Sequence, residues 1–485
     1  MSALPGLRRL WARAIEGPAE GAIALVRPSG ESFTYAQLAD AVVRGAEQLR
    51  AAGVRERSAV AIAVADPLGA LLAALSIWEA GAAVLPLELR GGAAFVEDAI
   101  VRAGVTRVVR DAWPSGELSI ATREAPHKEL DPRAGLLLFT SGSSGKPKCV
   151  VLGREGLAAN VDAILRYLPI AQAPRTALTL PLTYSYALVG QALTTLRAGG
   201  TLILLGELAF PALQLEAMVR HGAHGLSSVP AALRLLAKAA HESRAAALPV
   251  PALRYVASAG AALEPAIAAQ VHSAFPHATL FSQYGLTEAS PRVAAISSEE
   301  PAFARGATGR ALEGLDLWIE DDAGARVPAG AQGQIVVRGP SVMLGYLDDP
   351  EATQRALGAD GGLRTGDLGH VDESGILFVH GRNDGVVKVA GERVGLDEIA
   401  SALRTVQGAR EIAIAAVPDE ALGNRLIGFV ECDSADVLGL VRKHARDTLP
   451  PQKRPAKLLQ VPRIPRTANG KIDRAALQRL AQGES

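Results

Sequence analysis

The sequence predicts an α/β fold with a large first domain and a smaller α+β domain at its C-terminal end. Through about the first 300 residues, short apolar runs alternate with Ala- and Leu-rich stretches. The apolar runs are continuous rather than alternating, which is typical of parallel strands that are buried on both faces. After Gly309 this alternating pattern gives way to short predicted strands and turns. After Arg382 a new mixture of predicted strands and helices begins.

The elements of the first domain are predicted in chain order from these runs. A helix over Ala36–Ala52 precedes the first of the buried strands. The predicted strands are Ala59–Ala65, Ala83–Leu87, Arg107–Arg110, Leu178–Leu180, Thr201–Leu205, Leu226–Val229, Tyr255–Ser258 and Thr279–Ser282. Short strands and turns from Gly309 to Gly339, including Asp321-Asp322-Ala323-Gly324, predict a small antiparallel, barrel-like subdomain within about residues 309–382.

The second domain is predicted to start with a hairpin just after Arg382. The elements expected after it are a helix over Asp397–Val406, strands over Glu411–Val417 and Leu426–Cys432, and a helix over Ser434–Thr448. We place the boundary at Asn383-Asp384, which gives domains of residues 1–382 and 383–485. A length of 485 residues exceeds one typical core and predicts two or more domains.

Charge and cysteine content exclude several classes of function. The formal net charge is zero, with 50 basic and 50 acidic residues mixed along the chain, so neither nucleic acid nor an anionic membrane is expected as a partner. Cys149 and Cys432 lack metal-ligand spacing and fit a reducing compartment. The first residues contain no apolar stretch of signal-peptide length, and charges and prolines interrupt the apolar region Ala59–Leu89. We therefore expect a soluble, cytoplasmic protein with no membrane partner.

A hydroxyl- and glycine-rich loop follows the apolar run Leu136–Phe139. The loop reads Thr140, Ser141, Gly142, Ser143, Ser144, Gly145 and Lys146. Backbone N–H groups, hydroxyls and one ammonium in such a loop can hold phosphate. It is not the common P-loop, which requires glycine in place of Thr140 and a hydroxyl residue in place of Pro147. Taken alone, it could also be a flexible glycine-serine turn.

Four further motifs follow the loop in order. They are Gln283-Tyr284-Gly285-Leu286-Thr287-Glu288, Arg364-Thr365-Gly366-Asp367, the run from Gly381 to Arg393, and the run from Pro465 to Arg474. With these five motifs the chain resembles the adenylate-forming enzyme superfamily over about residues 20–480. That superfamily includes acyl-CoA synthetases, adenylation domains of peptide synthetases, and firefly luciferase. The resemblance implies a large N-terminal body, a mobile C-terminal cap, and two half-reactions: a carboxylate and ATP give acyl-AMP and pyrophosphate, and a thiol then takes the acyl group.

The resemblance also implies which residues hold ATP and Mg²⁺. Tyr284 offers a flat face for adenine, and the two carboxylate oxygens of Asp367 accept from the ribose hydroxyls. Glu288 shares Mg²⁺ with phosphate oxygens, as suits an ion that needs few protein ligands. The full nucleotide-binding set is Thr140, Ser141, Gly142, Ser143, Ser144, Gly145, Lys146, Gly260, Ala261, Ser282, Gln283, Tyr284, Gly285, Thr287, Asp367, Arg382 and Lys388.

Three residues are implied to be catalytic: Thr287, Glu288 and Lys471. Lys471 is the lysine that bridges the carboxylate and α-phosphate oxygens, a role suited to a compact ammonium on a flexible stem. Asp384 matches the hinge of the cap. Ala390 and Gly391 match the tunnel for the thiol arm.

The acyl pocket is the variable part of the superfamily. We predict that Tyr184, Ser185, Tyr186, Gly260 and Ser282 line it. The segment from Leu180 to Leu188 looks most like the Pro-x-Phe-His-x-Tyr-Ala-Leu segment of plant 4-coumarate ligases, with Tyr184 in place of the His. Amino-acid adenylation domains usually carry an Asp here, and none is present. An aryl or medium-sized acid is therefore favoured over an α-amino acid.

These observations predict an ATP-dependent, AMP-forming carboxylic acid ligase. Its expected partners are a small carboxylic acid, ATP with Mg²⁺, and a thiol acceptor, coenzyme A. A freestanding enzyme that loads the phosphopantetheine arm of an acyl carrier protein is the alternative among enzymes. A non-catalytic nucleotide or acyl sensor is the alternative from another class, and the presence of Glu288, Asp367, Arg382 and Lys471 together argues against it.

Overall fold

The computed structural model of the chain describes residues 21–89, 92–124, 128–140, 147–206, 208–321, 323–382, 386–465, 472 and 474–483, without the side chains of 381, 382, 386, 393, 397, 474 and 475. These residues fall into two compact units. The first contains the described residues of 1–89, 96–138 and 149–381. The second contains those of 382–485 together with those of 90–95 and 139–148.

Strands and helices alternate up to residue 382. The strands are β1 (Ile23–Val26), β2 (Ser32–Thr34), β3 (Ala59–Ile62), β4 (Ala83–Pro86), β5 (Arg107–Ala112), β6 (Leu118–Thr122), β7 (Ala134–Thr140), β8 (Lys148–Gly153), β9 (Arg175–Leu178), β10 (Thr201–Leu204), β11 (Gly225–Ser228), β12 (Tyr255–Ser258), β13 (Thr279–Gly285), β14 (Arg292–Ser297), β15 (Arg310–Ala311), β16 (Asp316–Glu320), β17 (Gly333–Arg338), β18 (Gly345–Tyr346), β19 (Leu363–Val371) and β20 (Leu377–Arg382). The helices are α1 (Tyr35–Ala51), α2 (Pro67–Ala80), α3 (Ala93–Arg102), α4 (Arg154–Leu165), α5 (Ser185–Ala187), a π-helix (Leu188–Leu193), α6 (Thr194–Arg197), α7 (Pro211–Arg220), α8 (Pro230–Ala245), α9 (Pro265–Ala274) and α10 (Pro350–Ala356), with 3₁₀ turns at Thr287–Ala289 and Phe303–Arg305.

Two large sheets are built mainly from parallel strands, which confirms the predicted α/β class. The first sheet has the order β15-β14-β13-β12-β11-β9-β10-β1-β2, and its strands from β13 to β1 are parallel. The second has the order β18-β8-β7-β4-β3-β5-β6, with β7, β4, β3 and β5 parallel. A third sheet has the order β16-β17-β19-β20 and comes from the region predicted to be antiparallel.

The two first long helices pack closely against each other in the core of this unit. Every side chain of α2 from Leu71 to Trp78 is buried. A Cβ atom added at Gly45 of α1 would lie 2.4 Å from the hydroxyl of Ser76, so the close approach requires glycine at that position. Trp78 donates its indole N–H to the carbonyl of Gly135 at 2.6 Å, which satisfies the polar atom of the largest buried side chain.

Every predicted strand except Tyr255–Ser258 differs from the observed strand by one to three residues at one or both ends. Two of these differences show the cause. The strand predicted over Ala59–Ala65 stops at Ile62, because the chain turns so that Asp66 can cap α2 by accepting from the backbone N–H of Gly69 at 2.9 Å. The strand predicted over Leu178–Leu180 is Arg175–Leu178 in the structure, so it begins three residues earlier and ends two residues earlier. Its register with β10 sets these bounds, since Arg175 pairs with Thr201.

The second unit has its own core. Its elements are β21 (Val386–Val389), β22 (Glu392–Gly395), α11 (Leu396–Leu403), β23 (Glu411–Asp419), β24 (Gly423–Glu431), α12 (Asp436–Thr448), a 3₁₀ turn at Pro451–Lys453, β25 (Lys457–Val461) and α13 (Arg474–Gln482). Strands β23 and β24 pair antiparallel, β25 adds parallel to β24, and α11 and α12 cover the sheet with residues such as Ile399 and Val441. None of the helices in the described part of the chain combines the length and apolar character that a membrane span needs.

Candidate active site

Three neighbouring parallel strands end together at one edge of the first sheet. Ser228 at the end of β11 pairs with Ser258 of β12, and Ser258 pairs with Ser282 of β13. Clefts beyond the carboxyl ends of such strands are common ligand sites in α/β sheets. The predicted pocket residues Gly260 and Ala261 follow β12 directly, and Gly260 has a φ of +89°, which favours glycine. The sequence-predicted Ser282 and Gly260 therefore lie at the same sheet edge.

The predicted adenine and ribose residues contact each other. The Tyr284 hydroxyl donates to Oδ2 of Asp367 at 2.6 Å, although 83 residues separate them in sequence. Both side chains are more than nine-tenths buried. The backbone N–H of Asp367 also donates to the Thr365 hydroxyl at 3.1 Å, which fixes the start of the carboxylate side chain. In this buried setting, the hydrogen bond from Tyr284 fixes the orientation of the Asp367 carboxylate. The direction of the second carboxylate oxygen is thereby fixed as well.

The predicted magnesium residue lies just after the same strand. Thr287 and Glu288 form a single 3₁₀ turn after β13. The Tyr346 hydroxyl donates to Oε1 of Glu288 at 3.2 Å, and the Met343 N–H donates to the Glu288 carbonyl at 2.8 Å. Among the described residues no group of three or more His, Cys, Asp or Glu could hold a metal. One buried carboxylate fits Mg²⁺, which takes one or two carboxylates plus substrate phosphates.

Several predicted residues lie outside the described residues. They are Ser141, Gly142, Ser143, Ser144, Gly145, Lys146, Asp384 and Lys471, together with the side chain of Arg382. Thr140 is the last residue of β7, and its hydroxyl donates to the Lys148 carbonyl at 3.5 Å. The roles assigned to Thr140 and to the residues outside the described part of the chain stay predictions.

In the second unit, three predicted residues lie on one hairpin. Lys388 is on β21, and its carbonyl accepts from the side-chain amide of Asn424 at 2.9 Å. Ala390 and Gly391 form the two-residue turn between β21 and β22, with φ values of +51° and +87°. Two positive φ values are the signature of a type I′ turn, which matches the twist of its strands. The hairpin predicted after Arg382 is confirmed, and the tunnel role of its turn stays a prediction.

The predicted acyl segment begins a helical stretch that contains a π-helix. Tyr184 precedes α5 and is half-buried, whereas Ser185 and Tyr186 are buried. The Tyr186 hydroxyl lies 3.4 Å from the carbonyl of Ser228 and 3.3 Å from that of Ala257, so its phenol reaches the ends of β11 and β12. Burial raises the pKa of the Tyr186 phenol above its ordinary value, and the phenol therefore stays protonated and donates. Tyr186, Gly260 and Ser282 are thus brought to one sheet edge.

Sequence reasoning missed a carboxylate that contacts this segment. The Thr183 hydroxyl donates to Oε2 of Glu88 at 3.0 Å. Glu88 follows β4 and is half-buried. Ninety-five residues separate the two side chains, so the sequence contains no local signal for the contact.

Two further functional candidates were also missed: Tyr346, which contacts Glu288, and Arg292, which begins β14. Arg292 is 1 % exposed, and the centre of its guanidinium lies 4.4 Å from the ring centroid of Tyr186. One signal could have found it. A charged residue that opens the apolar run Val293–Ile296 is rare in a buried strand.

Comparisons with known proteins agree with the fold. The family model described as AMP-binding enzyme matches residues 11–347, and the model described as AMP-binding enzyme C-terminal domain matches residues 398–471. Feruloyl-CoA synthase from Amycolatopsis sp is 30% identical over 477 residues, covering 94% of this chain and 95% of that protein. Indoleacetate–CoA ligase from Aromatoleum aromaticum is 29% identical over 497 residues, covering 94% of each chain. The solved structure of the amide bond synthetase McbA from Marinactinospora thermotolerans superposes with a TM-score of 0.82 at 28% identity, covering 99% of each chain.

The fold and these comparisons define an adenylate-forming enzyme. The chain belongs to the AMP-binding enzyme family, as the two family models and the full-length relatives show. It is an ATP-dependent, AMP-forming acid–thiol ligase that uses ATP and Mg²⁺.

Proposed function

We propose that the enzyme activates an aryl or medium-sized carboxylic acid without an α-ammonium group and transfers the acyl group to coenzyme A. The position of Tyr186 carries the proposal. Its buried phenol contacts carbonyls at the ends of β11 and β12, the sheet edge at which Ser282 also lies. A flat acyl group packed against such a ring gains about 0.5–1.5 kcal/mol beyond its burial. The names of the feruloyl-CoA and indoleacetate relatives also indicate aryl acids.

The adenylation step requires positive charge, because one anion attacks another. We assign Lys146 and its loop to the β- and γ-phosphates, and Lys471 to the bridge between the carboxylate and the α-phosphate. Thr287 donates to the α-phosphate. Glu288 holds Mg²⁺, which neutralises charge on the phosphate oxygens when bound. The Tyr284–Asp367 pair presents an aromatic face to adenine and a fixed carboxylate to the ribose hydroxyls.

The pocket segment disfavours an α-amino acid. Residues 183–188 supply two phenols, two hydroxyls and apolar side chains, and burying an unpaired ammonium there would cost several kcal/mol. Glu88 contacts Thr183, but its carboxylate already accepts a hydrogen bond and is half-buried rather than enclosed. We therefore keep the exclusion of ordinary amino acids.

Coenzyme A is proposed as the acceptor because the two full-length curated relatives are named as CoA-dependent enzymes. An acyl carrier protein presents the same phosphopantetheine thiol and is the second acceptor to compare. The likeness to an amide bond synthetase adds an amine as a third. We propose a cytoplasmic setting, because the reaction needs ATP and a reduced thiol. The two buried cysteines form no disulfide, which agrees with a reducing compartment.

Pyrophosphate exchange against a panel of acids tests the proposal. The panel contains benzoate, cinnamate, hexanoate, octanoate and the standard amino acids. We expect exchange with an aryl or medium-sized acid and none with amino acids. Strong turnover of an α-amino acid would refute the substrate class, and a clear preference for octanoate would refute only the aryl assignment.

The acceptor is tested separately with the best acid of that panel. Thioester formation with coenzyme A, loading of a holo carrier protein and amide formation with an amine are measured side by side. Faster transfer to the carrier protein or to the amine would contradict coenzyme A as the acceptor. Binding of ATP without exchange for any acid would instead favour a sensor.

A further inference from the structure

Arg292 carries a buried charge whose hydrogen-bonding capacity is only partly used. It is 1 % exposed, and among the described residues neither its Nε nor its Nη2 atom has a hydrogen-bond partner. Buried polar atoms in folded proteins are almost always paired, and a buried charge without full pairing is expensive. Such a group therefore indicates a ligand or a water that completes its shell.

The guanidinium faces the acyl side of the first sheet. Its centre lies 4.4 Å from the ring centroid of Tyr186. A Cβ atom added at Gly190 would lie 3.0 Å from Nη2, so glycine in the π-helix leaves room for the arginine head. Tyr167 lies on the same side: its hydroxyl interacts with Arg292 and accepts from the Gln283 amide at 2.7 Å. Arg292 thus reaches the phenol that the proposed pocket depends on.

Other unpartnered polar groups accompany it. Gln191, the next residue after Gly190 in the π-helix, is 1 % exposed, and neither atom of its amide has a partner among the described residues. The Oε1 atom of Gln283 and the hydroxyl of Ser258 are also without partners in that part of the chain. π-Helical turns are often found at functional sites. The elements that form the predicted acyl pocket therefore carry several buried polar atoms that none of the described residues satisfies.

We propose that Arg292 recognises a second acidic group on the substrate, so that the natural acid is an aryl or medium-sized dicarboxylate or carboxylate–sulfonate. This inference rests on the proposed function and narrows its substrate class. A guanidinium presents two parallel N–H donors that match a carboxylate or sulfonate. The first carboxylate reacts at the nucleotide end beside Thr287, while the second meets Arg292 past Tyr186. The amide N–H of Gln191, unpartnered among the described residues, is a further donor, whereas Gln283 already donates to Tyr167 and offers only its Oε1 acceptor.

Matched pairs of acids test the inference. The pairs are benzoate with terephthalate, cinnamate with 4-carboxycinnamate, and hexanoate with adipate. Acyl-AMP formation is followed by pyrophosphate exchange, and kcat/KM is compared within each pair. For the wild-type enzyme we expect the doubly acidic member of at least one pair to be favoured by about 100-fold, as expected when a buried charge gains its partner.

Two variants then assign that preference to Arg292. Arg292→Met removes the charge at similar size and should lower kcat/KM for the doubly acidic member by about 100-fold or more, with the KM for ATP unchanged. Arg292→Lys keeps a charge without the paired donors, and its kcat/KM for the doubly acidic member should lie between the values of the wild-type enzyme and Arg292→Met. Arg154→Met is the matched control, since Arg154 is a partly buried arginine whose guanidinium bonds the carbonyls of Gly81 and Pro132. It should leave the preference within each pair unchanged.

The outcomes distinguish failure of this inference from failure of the proposed function. Exchange with singly acidic acids alone, or an equal loss for both members of a pair in Arg292→Met, would overturn the inference and make Arg292 a support for Tyr186 and Tyr167. Absence of exchange with every acid would overturn the proposed function itself. If Arg292→Met does not fold, the test uses the wild-type preference for the doubly acidic acid and its reduction in Arg292→Lys. If Arg292 had only a structural role, the lysine variant would keep the same ratio of kcat/KM values within a pair.

Discussion

The predicted nucleotide residues Tyr284, Asp367 and Glu288 differ from Arg292 and Gln191, beside the predicted acyl segment, in how their polar groups are paired. On the nucleotide side, Tyr284 bonds Asp367 at 2.6 Å and Tyr346 bonds Glu288 at 3.2 Å. On the acyl side, Arg292 and Gln191 are equally buried but leave polar atoms without partners among the described residues. The protein itself pairs the first set of side chains, and we propose that a ligand completes the second.

This difference follows from what each side must do. The charge that develops on the phosphates is the same for every acid, so donors and carboxylates fixed in advance cost no reorganisation during reaction. Discrimination among acids needs groups whose pairing depends on the ligand, because an unpaired buried donor strongly penalises a substrate that lacks the matching group. Mutations on the nucleotide side should therefore affect all acids alike, and mutations on the acyl side should change their ranking.

The largest expected effect is on the nucleotide side. Lys471→Ala should lower acyl-AMP formation by about 10²- to 10³-fold or more, because an electrostatic contact made in the transition state is lost. Thioester formation from supplied acyl-AMP should stay largely intact, because the resemblance to the superfamily implies that the cap carries this lysine away after adenylation. Pyrophosphate exchange and a thioester assay measure the two steps. An equal loss in both half-reactions, or a loss that differs between acids, would contradict the assignment.

Asp384→Pro should affect one half-reaction selectively. Asp384 matches the hinge at which backbone dihedrals change between the two steps, and proline holds φ near −65°. The conformer that the ring permits keeps its half-reaction, and the other is slowed by about tenfold or more. Separate single-turnover assays of adenylation and of thioester formation measure this. Wild-type rates in both steps would remove Asp384 as the hinge.

A smaller effect is expected from Tyr284→Phe, which keeps the aromatic face and removes the bond to Asp367. A hydrogen bond to a charged group contributes about 1.5–3 kcal/mol, so the KM for ATP should rise by about 10- to 100-fold. The ranking of acids should not change. Asp367→Asn is the matched change on the other partner, and a double-mutant cycle measures the coupling. Additive effects would show that the two residues act independently.

Much of the fold could be predicted because buried parallel strands leave a local signal. The strand over Tyr255–Ser258 was predicted with the bounds that the structure has, and all four residues are buried. Candidate nucleotide residues could be proposed because their motifs are short runs of neighbours, such as Thr287 and Glu288, which form one 3₁₀ turn in the structure. Local sequence is sufficient where a feature is built from adjacent residues.

The rest could not be predicted because tertiary packing creates it. The Tyr346–Glu288 contact joins residues 58 positions apart, and the Thr183–Glu88 contact joins residues 95 positions apart. The pairing of Gly285 with Arg292 depends on an irregularity in the register between β13 and β14. A one-residue change of register would move the Arg292 side chain to the other face of the sheet, and single-sequence patterns do not define registers so finely.

The smallest effect is expected on the acyl side, at the contact between Thr183 and Glu88. Thr183→Val removes the hydroxyl that donates to the carboxylate at 3.0 Å and keeps the branched shape. Because both side chains are partly exposed, water replaces part of the lost bond, and we expect a cost of about 1 kcal/mol, or roughly a fivefold rise in the KM for the acid. The KM for ATP should not change, and Thr183→Ser, which keeps the hydroxyl, should restore most of the activity. Steady-state kinetics with each substrate varied in turn measure both constants. An equal rise in both would mean that the contact supports the whole site rather than the acyl side, and the separation between the two sides would then not hold at this residue.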